Sequence, residues 1–173
     1  LQAGHRVTVY DLSTAALQAA QNSGAEPCDT IALTVARAEC IVTSLPNPAD
    51  VASVALDAGG IAASAAAGAI HVDLSTNDPD TVARIGQVLA EREIAMLDAP
   101  VSGGTKGAEA ASLAIMVGGE AEVFARALPI LNDLGRPVHV GASGTGQLAK
   151  LANQTIVAVT IGAVAEDMLL LEK

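Results

Sequence analysis

Aromatic side chains are almost missing from these 173 residues: there is no Trp, one Tyr (Tyr10) and one Phe (Phe124). Any core must therefore come from Ala, Val, Leu and Ile, and the hydrophobic share is nonetheless 51%. That share excludes a disordered chain, and the length suits one domain with a substantial core. Basic residues are scarce as well, 9 against 19 acidic, for a formal net charge of −10. So acidic a chain, with no basic run, lacks the electrostatic footprint that nucleic acid or an anionic membrane requires. The two cysteines, Cys28 and Cys40, have no CxxC spacing and no histidine cluster beside them. Buried free thiols are expected, with no bound metal and no redox role. The longest apolar run has eleven residues, 155–165, shorter than a bilayer span. No secretory signal is visible, so the expectation is a cytoplasmic protein without membrane or nucleic-acid partners.

What is present is alternation. Runs at 6–11, 40–45, 69–75, 94–101, 113–119 and 138–142 each fit a strand, and their near-continuous apolar character suits strands covered on both faces. Helical patterns lie between them. Ser13 is placed to cap one and Gly24 to end it; Asn77 and Asp78 precede another with Pro79 in its first turn. A third, 120–135, carries Pro129, which should kink or interrupt it. Alternating β and α elements predict an α/β fold with a doubly wound, mostly parallel sheet and right-handed crossovers. "LQAGHRV" reads as the tail of a helix feeding a strand, and "EDMLLLEK" as a helix without a cap. Both suggest a piece of a longer chain.

Several motifs fall at expected strand ends, where open α/β sheets bind ligands. Asp11 ends "VTVYD", where it is either a carboxylate for the ribose of a dinucleotide or a solvated strand end. No Arg or Lys follows in 12–16 to receive a 2′-phosphate, which favours NAD over NADP. "SLPNPAD" is a rigid loop that suits a ligand site or a helix capped by Asn47 equally, whereas the hydroxyls Ser75 and Thr76 of "DLSTNDP" favour helix capping over ligand binding. In "DAPVSGGTKG", two adjacent glycines behind Ser102 let backbone N–H groups converge on an anion such as a carboxylate, although such a tripeptide is also common in plain loops. "GTGQLAKLANQ" sets Lys150 on a stripe with Gln147 and Gln154, with Asn153 alongside. A merely structural Lys there would extend to solvent; one held in an apolar cleft would have a lowered pKa and could pass a proton near neutrality.

In this order and spacing, "GHRVTVYD", "SLPN", "HVDLST", "LDAPVSGGTKGA", "IMVGG" and "GTGQLAKLANQ" resemble the β-hydroxyacid dehydrogenase family. That family includes 3-hydroxyisobutyrate dehydrogenase, tartronate semialdehyde reductase and, more distantly, 6-phosphogluconate dehydrogenase. The K-L-A-N-Q stretch is most similar to the tartronate semialdehyde (2-hydroxy-3-oxopropionate) reductases. The resemblance implies a Rossmann-like dinucleotide-binding domain over 1–143, lacking its first strand and Gly-rich phosphate loop. It implies that 144–173 open the interdomain helix of an all-helical domain. It implies an oxidoreductase using NAD or NADP on a small carboxylate or semialdehyde, and a homo-oligomer at full length. By position, Lys150 would be the catalytic acid/base, and Ser102, Gly103 and Gly104 would bind the substrate carboxylate. Asn153 or Gln154 would hold its hydroxyl or carbonyl. Leu45, Pro46 and Thr76 would line the cofactor, and Asp11 would meet its ribose. Two alternatives stay open: a 3-hydroxyisobutyrate dehydrogenase, and a non-catalytic Rossmann module that binds a ligand or scaffolds an oligomer.

Overall fold

A computed structural model describes Leu1 and residues 3–171. Two sheets carry the fold. The smaller pairs β1 (Thr8–Val9) with β2 (Glu26–Pro27) in parallel across the crossover helix α1 (Thr14–Asn22). Ser13 caps α1 by accepting the Ala16 N–H. The helix ends as expected at Gly24, which takes φ +99° while the Gly24 and Ala25 N–H groups return to Gln21 O and Ala20 O. The left-handed residue satisfies two carbonyls that a continued helix would leave open.

The larger sheet contains β3 (Cys40–Thr43), β4 (Ile70–Asp73) and β5 (Ala95–Asp98), all parallel, followed by β7 (Leu113–Gly118), antiparallel to β5. The short β6 (Val101–Ser102) and the longer β8 (Gly135–Gly141) both pair with β7. The run expected as one strand over 94–101 is therefore two. Pro100 explains the break: it has no N–H for a ladder, and its carbonyl instead accepts the Met116 N–H at 3.0 Å.

Helices cover both faces. Ile41, Val51, Ala55, Ile61, Ile85 and Leu89 form one buried cluster under α2 (Ile31–Val35), α3 (Pro48–Leu56), α4 (Ile61–Ser64) and α5 (Pro79–Ala90). Val72, Leu97, Ile115, Val117, Ala127 and Leu131 form the other under α7 (Ala121–Asn132). Asn47 caps α3 and Asp78 caps α5, each followed by Pro at the first helical position, where its missing N–H costs nothing. Pro129 does not interrupt α7, which runs through it to Asn132. A proline so near the carboxyl end removes a single intrahelical bond. The thiols differ from expectation: Cys28 and Cys40 are both only half-buried, and burial pushes the Cys40 thiol up to about 11, which keeps it protonated and inert.

The last helix, α8 (Thr145–Leu171), has 27 residues. The eleven-residue apolar run understates it, because the stretch 145–154 and residues 166–171, which begin with Glu166 and Asp167, belong to the same helix. By length and composition α8 could cross a bilayer, with a mean hydropathy of 1.6 over its best window. Its first turns, however, pack on the sheet: Gly146, Gln147 and Lys150 are buried, while Ile156, Val159, Ile161, Val164 and Met168 are exposed.

Backbone contact sets how α8 enters. A methyl group on Gly146 would overlap the Asp98 and Met116 carbonyl oxygens, and one on Gly118 would stand 2.6 Å from Asp98 Oδ1 and 2.7 Å from Gly146 N. These glycines admit the protein's own strands to the helix start. Gly162, in the exposed half of α8, meets nothing within 4 Å. Alanine is favoured over glycine in a helix by about 1 kcal/mol, whereas overpacking costs about 1–3 kcal/mol. Gly162→Ala should therefore raise stability and Gly146→Ala lower it in urea denaturation; a shift of the same sign in both would refute the close-approach account.

Candidate active site

On β4 the side chains alternate between apolar and polar: Ile70 and Val72 enter one core, while His71 and Asp73, fully buried, face the other side with Thr43 and Asp98. Thr43 Oγ1 lies 2.9 Å from His71 Nε2 and donates to Asp73 Oδ1 at 2.9 Å. Asp73 also accepts the Ser75 N–H at 3.1 Å and the Asn77 Nδ2 at 3.4 Å. Burial pulls His71 down to about 4, against the opposing pull of Asp73, so the ring is neutral at pH 7; its Nδ1 has no hydrogen-bond partner among the described residues.

Asp98 joins this polar face to α8. Its Oδ1 accepts the Gly144 N–H at 2.8 Å and its Oδ2 the Gln147 N–H at 3.0 Å. Burial pushes its carboxyl pKa upward, and the backbone N–H groups of Gly144 and Gln147 oppose that rise. One carboxylate at the end of β5 thus acts as the N-cap of a helix far away in sequence. Gln147 completes the junction from the helix side. Its Oε1 accepts the Asn77 N–H at 2.8 Å, and its Nε2 donates to Ser75 O at 2.9 Å.

Lys150 follows one turn later and is only 8% exposed, so it is not the solvent-directed lysine of the structural alternative. Its Nζ donates to Val101 O at 2.8 Å, and burial lowers its pKa from the ordinary 10.5. Val101 directly precedes Ser102, Gly103 and Gly104. Ser102 is half-buried and the two glycines are exposed, with φ of +139° and +60°, values a side chain would strain. Gly103 also lies where a methyl group would come within 3.2 Å of Leu113 Cδ2. The short helix α6 (Gly104–Glu109) starts there.

The other expected residues fall into two places. Leu45 is half-buried and its N–H donates to Ser75 Oγ at 2.9 Å, which ties the loops after β3 and β4 together; Pro46 and Thr76 are exposed beside it. Ser75 and Thr76 do not cap α5; Asp78 does. Asn153 is half-buried and donates to Gln154 Oε1 at 3.3 Å, and Gln154 is exposed. Asp11 stands apart: it is exposed after β1, its Oδ1 accepts the Ser13 N–H at 2.7 Å, and no hydrogen bond among the described residues joins it to the rest. Beside β1 and α3 is a cavity of about 430 Å³ lined by Tyr10, Asp29, Thr30, Ser53, Asp57 and Gly60.

Lys150 is marked by its motif, but nothing local in the sequence gives Asp98 and Gln147 an anchoring role. No spacing rule connects residues that meet only through tertiary packing.

Loops gathered at the carboxyl ends of parallel strands, with crossover helices on both faces, define a dinucleotide-binding domain. Residues 1–158 match the family model described as the NAD binding domain of 6-phosphogluconate dehydrogenase. The chain is 38% identical over 171 residues to a 3-hydroxyisobutyrate dehydrogenase of Pseudomonas aeruginosa, covering 98% of this chain and 57% of the relative. It is 37% identical to a 2-(hydroxymethyl)glutarate dehydrogenase of Eubacterium barkeri, with the same coverage. Among solved structures, Mycobacterium tuberculosis 3-hydroxyisobutyrate dehydrogenase with L-serine superposes with a TM-score of 0.93 at 35% identity, over 99% of this chain and 58% of that one. The chain belongs to the β-hydroxyacid dehydrogenase family and carries its NAD(P)-binding fold. It spans 57% of the length of the two curated relatives.

Proposed function

We propose that the full protein is an NAD(P)-dependent oxidoreductase that interconverts a short 3-hydroxyacid and its semialdehyde. One observation carries the reading: a buried lysine with a lowered pKa, its Nζ on Val101 O, adjoins the Ser102-Gly103-Gly104 turn. A proton donor beside an anion-binding turn is what reduction of a carbonyl on a small carboxylate needs.

The residues present fit the cofactor. The Asp11 carboxylate, with its Oδ2 free of hydrogen bonds among the described residues, suits ribose hydroxyls, and the cavity beside Tyr10 suits an adenine ring. Leu45, Pro46 and Thr76 lie on joined loops and would line the nicotinamide end. When bound, the nicotinamide supplies or accepts the hydride. The chain's own residues do the rest. Ser102, Gly103 and Gly104 hold the substrate carboxylate, Asn153 or Gln154 orients its oxygen, and Lys150 Nζ gives the carbonyl oxygen a proton or takes one from the hydroxyl. NAD is favoured because no cation follows Asp11 in 12–16.

The K-L-A-N-Q pattern supports tartronate semialdehyde as substrate. The names of the relatives support 3-hydroxyisobutyrate equally. The domain reading extends likewise: residues 1–143 as the dinucleotide domain and 144–173 as the start of an interdomain helix, with exposed Ile156, Val159, Ile161 and Val164 meeting a helical domain or a second subunit. The acidic charge supports an enzyme without nucleic-acid or anionic-membrane partners, and the cytoplasm is the compartment proposed for it.

The test is NADH oxidation by the full-length protein, with tartronate semialdehyde and methylmalonate semialdehyde offered side by side. Preference for the first supports the reductase, and preference for the second the hydroxyisobutyrate enzyme. Turnover of neither, with NADH still bound, would leave the fold standing and overturn both substrate assignments within the family.

A further inference from the structure

We propose that Gln147 is a positioning residue, fixing the Lys150 ammonium relative to the loop that lines the nicotinamide end; this rests on the functional reading above. Gln147 is fully buried, and its amide is used on both sides: Oε1 on the Asn77 N–H and Nε2 on Ser75 O. Those two partners flank Thr76, the residue placed against the cofactor. Ser75 in turn holds Leu45 through its hydroxyl. One side chain therefore holds the loop after β4 directly and, through Ser75, the loop after β3. Lys150 sits three residues further along the same helix, about 4.5 Å along its axis.

Anchoring the helix does not require this amide, because Asp98 already holds the Gly144 and Gln147 N–H groups. The side-chain bonds serve the loop. The pair needs one acceptor and one donor on one short side chain: an ionised Glu would lack the donor, and Met would lack the donor and offer only a weak acceptor. The chemistry makes the spacing consequential. Hydride must reach the carbonyl carbon while a proton reaches the oxygen bonded to it, and displacement by about 1 Å can cost about 10²-fold in rate.

The experiment uses the full chain with Gln147→Met, Gln147→Glu and, as an unrelated core variant, Val51→Ala. Gln147→Met should lower kcat by about 10²-fold, with KM for NADH little changed. Its deuterium isotope effect from 4-deuterated NADH should rise, since hydride transfer becomes limiting. Gln147→Glu should lose less and recover as pH falls and its carboxyl regains a donor. If Gln147→Met does not fold, the Glu variant alone decides, through that recovery. Wild-type kcat and isotope effect in folded Gln147→Met would overturn the proposal, as would an equal change in Val51→Ala.

If the wild type turns over no hydroxyacid, the functional reading fails separately. NMR titration after reductive ¹³C-methylation then decides the positioning role. Return of the Lys150 pKa toward 10.5 in Gln147→Met supports it, and an unchanged value overturns it.

Discussion

Lys150→Ala is expected to reduce turnover by about 10²–10⁴-fold, the usual range for a positioned general acid or base, with NADH affinity nearly unchanged. The side chain donates to Val101 O beside the Ser102-Gly103-Gly104 turn, away from Asp11 and the cavity proposed for adenosine. Its loss should therefore fall on the chemical step. Burial lowers the Lys150 pKa below 10.5. In the direction of reduction the ammonium is the working form, so the rate should decline as pH rises through that lowered pKa. In the direction of oxidation the amine works, and the rate should climb over the same interval. Both limbs should disappear in Lys150→Ala. Preserved turnover with lost NADH binding would reverse the assignment.

The second large effect is on stability. His71 is fully buried and neutral, with its pKa lowered to about 4 from 6.5. A group that protonates more readily when unfolded makes the folded state less stable as pH falls between those two values. Above 6.5 its contribution is constant, and below about 4 no further loss arises from it. The loss across the window is roughly 3 kcal/mol, from about 1.4 kcal/mol per pH unit. His71→Gln keeps a polar partner for Thr43 without titrating in this range. Urea denaturation from pH 7 to pH 4 should show the wild type losing stability faster than the variant. Parallel curves would show that the buried ring plays no part in acid sensitivity.

The sequence and the structure agree most closely where local signals are strong. Asn47-Pro48 and Asp78-Pro79 name their helix starts, and Gly24 its helix end, because caps are local chemistry. The apolar runs locate β3, β4, β5 and β7, since strands covered on both faces have few polar positions. What escaped was short or non-local. β2 is two residues ending in Pro27, and α4 is a single turn, too brief for any periodicity. No local pattern marks His71 and Asp73 within their apolar run, yet they continue a polar row across β3, β4 and β5. The glycines at 144 and 146 mark the helix entrance, but what meets them there is tertiary: the Gly144 N–H binds Asp98, and the space at Gly146 is taken by strand carbonyls. Lys150 could be singled out as a candidate, but its burial depends on a junction that no local pattern encodes.

That junction has an electrostatic consequence. The start of a long helix carries roughly half a positive charge and commonly recruits an external anion. In α8 the position is filled from within by the Asp98 carboxylate, held by the Gly144 and Gln147 N–H groups. The helix's own field at that end is thereby quenched before any substrate arrives. In the proposed reaction a substrate carboxylate would gain little attraction from the α8 macrodipole, and its affinity would come from the Ser102 turn and the Lys150 charge. Discrimination among substrate anions would then belong to those few groups.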